Sequence, residues 1–165
     1  MIQANKQLLD MYLIENALLG NSITISVGDA VIIKTASPSA VIGAAGTTGK
    51  ILGTVRAIKN GPASGSTYLQ KNTVTTGASN ETVDKISVDI LPTDVPTTYV
   101  ADLDDPAGTT TNSQYFGYFD LSGTNNGVLD ESSYSASVAK QFLSYGVNPG
   151  NQSQVIGIWS AVARS

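Results

Sequence analysis

The feature that most constrains this chain is a series of short alternating segments, separated by turn-forming residues, that begins after Gly20. Residues 23–27 and 86–90 alternate apolar and polar side chains with period two. Successive side chains of a β-strand point to opposite faces, so this alternation is typical of strands with one buried face. Clusters of Gly, Asn, Asp, Ser and Pro between the segments favour turns. The spacing is that of sandwiches and barrels, and the sequence therefore predicts an all-β fold, a small barrel or sandwich.

The candidate strands cover most of the chain after Gly20. They are residues 23–27, 30–35, 49–58, 67–75, 82–91, 97–103, 114–121, 141–147 and 154–162. Ile51, Val55 and Ile58 are predicted to point inward from the third of these. Gly28-Asp29 suits the backbone of a tight turn, so the first two segments are predicted to pair as a hairpin. Residues 133–142 are compatible with a short helix or with a strand.

The first 20 residues have a different residue pattern and contain the only candidate helix. Leu8, Met11, Tyr12 and Glu15 follow a helical spacing, and Gly20-Asn21 ends the segment. Two interpretations stay open: a short helix packed on its own domain, or an N-terminal arm that buries apolar side chains against another chain. The second interpretation defines a set of candidate partner-binding residues. They are Leu8, Leu9, Met11, Tyr12, Leu13, Ile14 and Leu18.

The domain organisation follows from these segments. A length of 165 residues suits one domain with its own core. We expect residues 1–20 to form the arm or helix and residues 21–165 to form the β domain. Pro92–Pro96 is the best candidate for a boundary between two subdomains. No internal repeat is visible in the sequence.

The charge and composition argue against two classes of partner. The net charge is −4, the pI is about 4.5, and the 9 Lys and Arg residues are scattered. Nucleic-acid binding needs clustered cations, so we expect none. No apolar run approaches the length of a membrane span, and the N-terminus lacks the pattern of a signal peptide. The sequence therefore predicts synthesis in the cytoplasm and no membrane partner.

The absence of certain residues limits catalysis. The chain has no His and no Cys, which excludes Ser-His-Asp and Cys-His arrangements and any disulfide. Ser137 and Lys140 match a bare S-x-x-K pattern, but the companion motifs of that enzyme class are missing. The glycine-rich segment 43–50 does not match a phosphate-binding loop, because Ala44 and Ile51 stand at required positions. We therefore expect no enzyme activity and no cofactor.

Two acidic stretches are candidates for chemistry, the first as a cation site and the second as a catalytic carboxylate pair. Asp102, Asp104 and Asp105 precede Pro106 in the densest acidic run of the chain. Hard cations such as calcium prefer carboxylates, but the calcium-loop pattern fails and a solvated turn explains the run better. Asp130 and Glu131 are adjacent, and on a strand they point to opposite faces.

An aromatic cluster is the strongest remaining candidate for binding. Tyr115, Phe116, Tyr118 and Phe119 surround Gly117, and strand alternation places Phe116 and Tyr118 on one face. The simpler interpretation is a sandwich or barrel core. The alternative is an exposed platform that binds a sugar or a protein.

Two stretches carry a resemblance to a known family. Residues 26–31 contain a G-D-x-V turn, and residues 49–55 contain a G-K-x-x-G-x-V strand. Residues 114–159 add Tyr118-Phe119-Asp120-Leu121, a G-V-L-D-E-S segment from Gly127, and Asn148-Pro149-Gly150-Asn151. Together these stretches cover about half the chain. Their short motifs and residue pattern resemble those of the head decoration, or capsid cement, proteins of tailed bacteriophages.

The resemblance implies a structural role. A decoration protein lies on the outer surface of the capsid in the virion, often as a trimer, and stabilises the capsid by bridging subunits of the major capsid protein. It has no cofactor and no catalytic residue, and no binding residue can be transferred by motif. Two alternatives stay open: another virion component, such as a tail or fibre accessory, and a carbohydrate-binding β-sandwich.

Overall fold

The structure is a computed structural model that describes residues 13–33, 40–43, 50–59, 72–80, 86–95, 97–105, 116–122 and 125–164. The chain divides into two compact units. The first unit consists of residues 7–44 and 51–92, and the second consists of residues 1–6, 45–50 and 93–165. The chain passes from the first unit to the second mainly between Pro92 and Thr93, within the predicted boundary segment Pro92–Pro96. The described residues are mostly strands, and the predicted all-β fold is confirmed.

The first unit contains a closed five-stranded barrel and a small separate sheet. Its strands are β1 Ile14–Leu19, β2 Thr24–Ser26, β3 Ala30–Ile33, β4 Ala40–Gly43, β5 Gly53–Lys59, β6 Thr73–Thr75 and β7 Ser87–Pro92. The barrel order is β1-β4-β3-β5-β7, and β7 closes onto β1. The β1–β4 pair is parallel and the other four pairs are antiparallel. Strands β2 and β6 form a two-stranded antiparallel sheet.

The predicted helix is wrong for residues 14–19, which form strand β1. This strand pairs with β4 on one side and with β7 on the other, so its backbone hydrogen bonds are made between strands. At Asn16 the φ angle is 55° and the register shifts, and the Asn16 N–H donates to Asp89 Oδ1 at 3.1 Å. Pairing on both sides outweighs the weak local preference for a helix. Residues 1–12 lie outside the described residues.

The predicted hairpin across Gly28-Asp29 is also wrong. The turn exists, with a φ angle of 96° at Gly28, but β2 pairs with β6 while β3 pairs with β4 and β5. The Gly28 N–H donates to the Val55 carbonyl at 2.8 Å, and the Val55 N–H donates to the Asp29 carbonyl at 2.9 Å. The turn is therefore held by β5, and the chain passes from one sheet to the other.

The core of the first barrel is aliphatic. Its buried side chains are Leu19, Ile25, Val31, Val55, Ile58, Val88 and Ile90. Ile51, Val55 and Ile58 are all buried, so their predicted inward orientation is confirmed. No aromatic residue occurs in the described part of this unit.

The second unit contains a second closed barrel. Its elements are β8 Tyr99–Leu103, β9 Phe116–Ser122, β10 Asn125–Ser135, β11 Phe142–Asn148, β12 Asn151–Trp159 and a short helix α1, Ala161–Arg164. Around the barrel the order is β10-β8-β12-β11-β9, and β9 closes onto β10. Only the β8–β10 pair is parallel. The segment 133–142 is strand as far as Ser135, and β11 begins at Phe142.

The core of the second barrel is rich in aromatic residues. Tyr99, Phe119, Phe142 and Trp159 are buried. The rings of Phe142 and Trp159 meet edge to face with centroids 5.6 Å apart, and those of Tyr99 and Trp159 are 5.9 Å apart. Such edge-to-face pairs add to the stabilisation that burial alone gives.

The two barrels have the same strand topology. When the five barrel strands of each unit are numbered from its N-terminal side, both barrels have the order first, third, second, fourth, fifth. In each, the first and third strands are parallel and the other four pairs are antiparallel. The fourth strand of each barrel also carries a register shift against the fifth, at Val55/Ala57 and at Ser144/Gly146. The architecture is therefore repeated, although the sequence shows no repeat.

Candidate interaction surface

The residues of the S-x-x-K pattern are not brought together as a catalytic pair. The Lys140 ammonium donates to Asp120 Oδ2 at 2.8 Å, and Asp120 is buried. Ser137 is exposed, and its backbone N–H points to Ser135 Oγ at 3.4 Å. The Lys140 amine is thus held by a carboxylate as part of the barrel's own structure.

Three acidic residues of the second unit accept hydrogen bonds from protein donors. Asp102 Oδ1 accepts from Gln154 Nε2 at 2.8 Å, and Asp104 Oδ1 accepts from the Glu131 N–H at 2.9 Å. Asp130 Oδ1 accepts from the Ser132 hydroxyl at 2.6 Å. In the described ranges, no group of three or more His, Cys, Asp or Glu residues is arranged to hold a metal ion. These contacts tie β8, β10 and β12 to one another.

The predicted partner-binding residues are placed only in part. Leu8, Leu9, Met11 and Tyr12 lie outside the described residues, as does Tyr115 of the aromatic cluster. Leu13 precedes β1 and is half-buried, and Ile14 and Leu18 are half-buried within β1. Ile14 packs against the aliphatic core of the first barrel. Its side chain therefore serves the fold, and the role of the seven residues in partner binding stays a prediction.

An exposed aromatic pair stands on the second barrel. Phe116 of β9 and Tyr145 of β11 are directly opposite in the antiparallel register. Phe116 is 66% exposed and Tyr145 is 47% exposed. Side chains directly opposite each other lie on the same face of a sheet, about 5 Å apart at Cβ. The two aromatic side chains therefore lie next to each other on one exposed face of the sheet.

The same face continues with further apolar residues, which we call the outer aromatic face. It consists of Phe116, Tyr118, Leu143, Tyr145 and Ile158. Tyr118 is opposite Leu143, and Leu143 is opposite Ile158, and all three are half-buried. None of the five carries a charge. The outward face of a barrel strand is normally polar, so an apolar outward face is unusual.

Local structure fixes the outer aromatic face. Phe119, Phe142 and Trp159 are each adjacent in sequence to a residue of this face and are buried, so strand alternation turns the side chains of the face outward. The Tyr134 hydroxyl donates to the Phe116 carbonyl at 3.1 Å, and the Tyr134 ring contacts Phe119 at 5.4 Å. A Cβ at Gly117 would overlap Tyr134 and the Ser135 carbonyl, so glycine permits this approach of β9 and β10.

Two of the five residues of this face were predictable from the sequence. Alternation placed Phe116 and Tyr118 together, and the structure agrees, with Phe119 on the buried side. No local pattern indicates that Tyr145 faces Phe116, because β9 and β11 are separated in the chain by β10. Tyr145 is also the extra residue at the register shift between Ser144 and Gly146, a position typical of a bulge that redirects a side chain.

Comparison with known proteins gives no relative. The chain matches no protein-family model, no curated protein and no solved structure. In the described residues, no helix is long and apolar enough to cross a membrane.

Proposed function

We propose that this chain is a structural virion protein that binds the outer surface of a phage capsid and stabilises it by bridging major capsid subunits. In this proposal the chain performs no reaction and acts as a homo-oligomer, with a trimer favoured. It is made in the host cytoplasm and ends on the capsid surface. The observation that carries the proposal is the outer aromatic face of the second barrel.

The chemistry of that face suits a protein partner. Aromatic residues are enriched and charged residues are depleted at the centres of protein interfaces. Phe116 and Tyr145 supply large apolar rings, and the Tyr145 hydroxyl adds a polar end. A contiguous apolar surface left exposed by a folded unit commonly marks an interaction site. On a capsid each contact is repeated many times, so weak single contacts give strong attachment.

The test is binding to undecorated heads assembled from the major capsid protein that is encoded with this chain. Replacing both Phe116 and Tyr145 with serine should weaken binding by about 30-fold or more, the effect of losing a hot spot of about 2 kcal/mol. Val138→Ser is the matched control, because Val138 is 62% exposed and lies outside the outer aromatic face. Co-sedimentation with the heads measures both. Equal binding by the double variant and the natural chain would contradict the proposed contact.

The N-terminal residues are tested separately. Removing residues 1–12 leaves β1 intact, since that strand begins at Ile14. If these residues form an arm that grips a capsid subunit, the shortened chain binds heads more weakly while its circular dichroism is unchanged. Full binding by the shortened chain would contradict a role of residues 1–12 in binding, and the outer aromatic face would remain as the proposed capsid contact.

Carbohydrate binding is the second candidate, and the same aromatic pair supports it. Two adjacent exposed rings offer flat apolar surfaces on which a sugar ring can stack. A glycan screen followed by titration at millimolar sugar distinguishes the two functions. Sugar binding that is lost in the Phe116→Ser/Tyr145→Ser variant, together with no head binding, would replace the capsid proposal. Recovery of the chain from purified tails but not from heads would instead favour a tail or fibre accessory.

A further inference from the structure

The two-stranded sheet of the first unit has one edge whose backbone groups are unused by any described residue. Thr24 is opposite Thr75, Ile25 opposite Val74, and Ser26 opposite Thr73. Beyond the strand ends, the Val27 N–H donates to the Asn72 carbonyl and the Thr76 N–H donates to the Ile23 carbonyl, each at 2.8 Å. Hydrogen-bonded and non-hydrogen-bonded pairs alternate along an antiparallel ladder.

This alternation decides which way each backbone group points. The pair Ile25–Val74 is hydrogen-bonded, so the N–H and C=O groups of Thr73 and Thr75 point away from β2. Side-chain distances agree with the assignment, since side chains are closest in non-hydrogen-bonded pairs. The Thr24 and Thr75 hydroxyls are 2.9 Å apart, and the Ser26 and Thr73 hydroxyls are 2.8 Å apart.

The opposite edge of the sheet is closed at Ser26. The Ser26 N–H donates to Asp29 Oδ2 at 2.8 Å, and the Ser26 carbonyl accepts from the Asp29 N–H at 3.1 Å. On β6, no described residue makes the corresponding contact with Thr73 or Thr75. Natural edge strands are usually protected by a charge, a proline, a bulge or their short length. Thr73-Val74-Thr75 has no charge, proline or bulge, and its three residues limit the length of the free edge. Ile25 belongs to the aliphatic core of the first barrel and Val74 packs against it, so one face of this sheet is held on the barrel.

We propose that β6 of a second copy of this chain adds to the β6 edge in antiparallel orientation, with a twofold axis at Val74. Each Thr73 then lies opposite the partner's Thr75, and four N–H to C=O hydrogen bonds join the two strands. The result is a four-stranded sheet in the order β2-β6-β6-β2. The pairing is independent of capsid binding, and it makes a twofold, self-complementary dimer contact.

Self-complementarity is the argument for a second copy as the occupant. The strand reads Thr-Val-Thr in both directions, so the twofold axis matches hydroxyl with hydroxyl and valine with valine. The Thr73 and Thr75 hydroxyls thereby gain the kind of cross-strand neighbour that they already have on β2. No charged side chain occurs on β2 or β6, so two copies meet at the axis without like-charge repulsion.

Single cysteines test the pairing, because the natural chain contains none. In the proposed register Val74 faces the partner's Val74 as a non-hydrogen-bonded pair about 4.5 Å apart at Cα, within the range of a disulfide. The Val74→Cys variant should therefore form a disulfide-linked dimer under mild oxidation. Thr73→Cys alone should not, because two copies of position 73 are more than about 7 Å apart. A mixture of Thr73→Cys and Thr75→Cys chains should form the mixed dimer.

The expected result is a linking rate for Val74→Cys about tenfold above that of Thr73→Cys, at about 10 μM protein, because pairing raises the local thiol concentration. Adding Thr75→Pro to Val74→Cys removes one outward N–H without touching the β2 ladder, and should return the rate to the level of Thr73→Cys. Thr75→Ala is its control, and circular dichroism checks that each variant is folded. Equal rates for Val74→Cys and Thr73→Cys, or no effect of Thr75→Pro, would overturn the proposal.

Discussion

The two barrels have one topology but different interiors. The described core of the first is built from Leu, Ile and Val, while that of the second centres on Tyr99, Phe119, Phe142 and Trp159. Strand order, the single parallel pair and the register shift of the fourth strand are nevertheless the same. Strand order and closure therefore specify the barrel, and either an aliphatic or an aromatic set of side chains can fill it.

The outward side chains at corresponding positions differ between the two barrels. At the register shift of the fourth strand, the first barrel carries Arg56 and the second carries Tyr145, and both are exposed. The same bulge thus presents a charge in one unit and an aromatic ring in the other. This difference places the candidate interaction surface on the second barrel.

The largest loss of stability is expected where a glycine allows the fourth and fifth strands of a barrel to approach closely. A Cβ at Gly53 would overlap the Leu91 carbonyl oxygen, and a Cβ at Gly157 would overlap the Leu143 carbonyl oxygen. Both clashes are with backbone, which cannot move away as a side chain can. We expect Gly53→Ala and Gly157→Ala each to destabilise its own barrel by about 3 kcal/mol. Gly150→Ala should change stability by less than about 0.5 kcal/mol, because its Cβ would meet only Asn148 Oδ1 at 3.6 Å.

The two barrels need different probes. Trp159 is the single tryptophan, so its fluorescence during urea unfolding reports on the second barrel and on Gly157→Ala. Hydrogen exchange of the β5 and β7 amides reports on Gly53→Ala. If Gly53→Ala or Gly157→Ala destabilised the protein no more than Gly150→Ala does, the prediction would be contradicted. The fourth and fifth strands could then move apart without a cost in stability.

Each barrel contains a buried ion pair, and the stability lost on removing its lysine is expected to differ between the two barrels. Lys59 bonds Asp89 in the first barrel and Lys140 bonds Asp120 in the second, both at 2.8 Å, with carboxylate side chains 6% and 7% exposed. Asp89 also accepts from the Asn16 N–H, whereas Lys140 is the one described donor to the Asp120 carboxylate. Removing one partner of a buried pair leaves a charge uncompensated. We expect Lys140→Met to cost about 3 kcal/mol and Lys59→Met about 2 kcal/mol.

Urea unfolding measures these variants with the same two probes. The double variants Lys140→Met/Asp120→Asn and Lys59→Met/Asp89→Asn are the controls, because each removes the stranded charge. They should recover part of the lost stability. A larger loss for Lys59→Met than for Lys140→Met would mean that the Asn16 N–H does not stabilise Asp89.

Much of the strand content could be predicted, and particular residues show why the rest could not. Ile51 and Val55 are four residues apart, so period-two alternation places them on one face. Ile58 is three residues beyond Val55 and points inward with them only because the register shifts between Val55 and Ala57. Strand β1 was missed because Ile14–Leu19 pairs with two distant strands, which no local pattern records. The β2–β3 hairpin failed for the same reason, since Val55 competes for the backbone of the turn.

The outer aromatic face was likewise predictable only in part. The shared face of Phe116 and Tyr118 follows from neighbouring positions on one strand. Tyr145 joins them through a pairing of β9 with β11 that a single sequence does not encode in any motif. The repeated barrel topology left no repeat in the sequence, because its two cores use different residue types.

The smallest expected effect concerns Asp29, at the turn that joins the additional two-stranded sheet to the first barrel. Burial raises the pKa of the Asp29 carboxyl above its ordinary value of 3.8, and the hydrogen bond from the Ser26 N–H opposes that shift. The folded state therefore holds this proton at pH values where the unfolded chain has lost it. Over that window, stability falls as the pH rises through the raised pKa.

Asn at position 29 keeps an oxygen acceptor for the Ser26 N–H but cannot ionise. At neutral pH we expect Asp29→Asn to be more stable than the natural chain by up to about 0.5 kcal/mol. Because Asp29 is protonated in both states well below pH 3.8, this advantage should vanish there. Hydrogen exchange of the β3 and β5 amides across this pH range measures it, and Asp105→Asn, an exposed residue, matches the change in net charge. An advantage that grew as the pH fell would mean that the hydrogen bond from Ser26, and not burial, dominates the ionisation of Asp29.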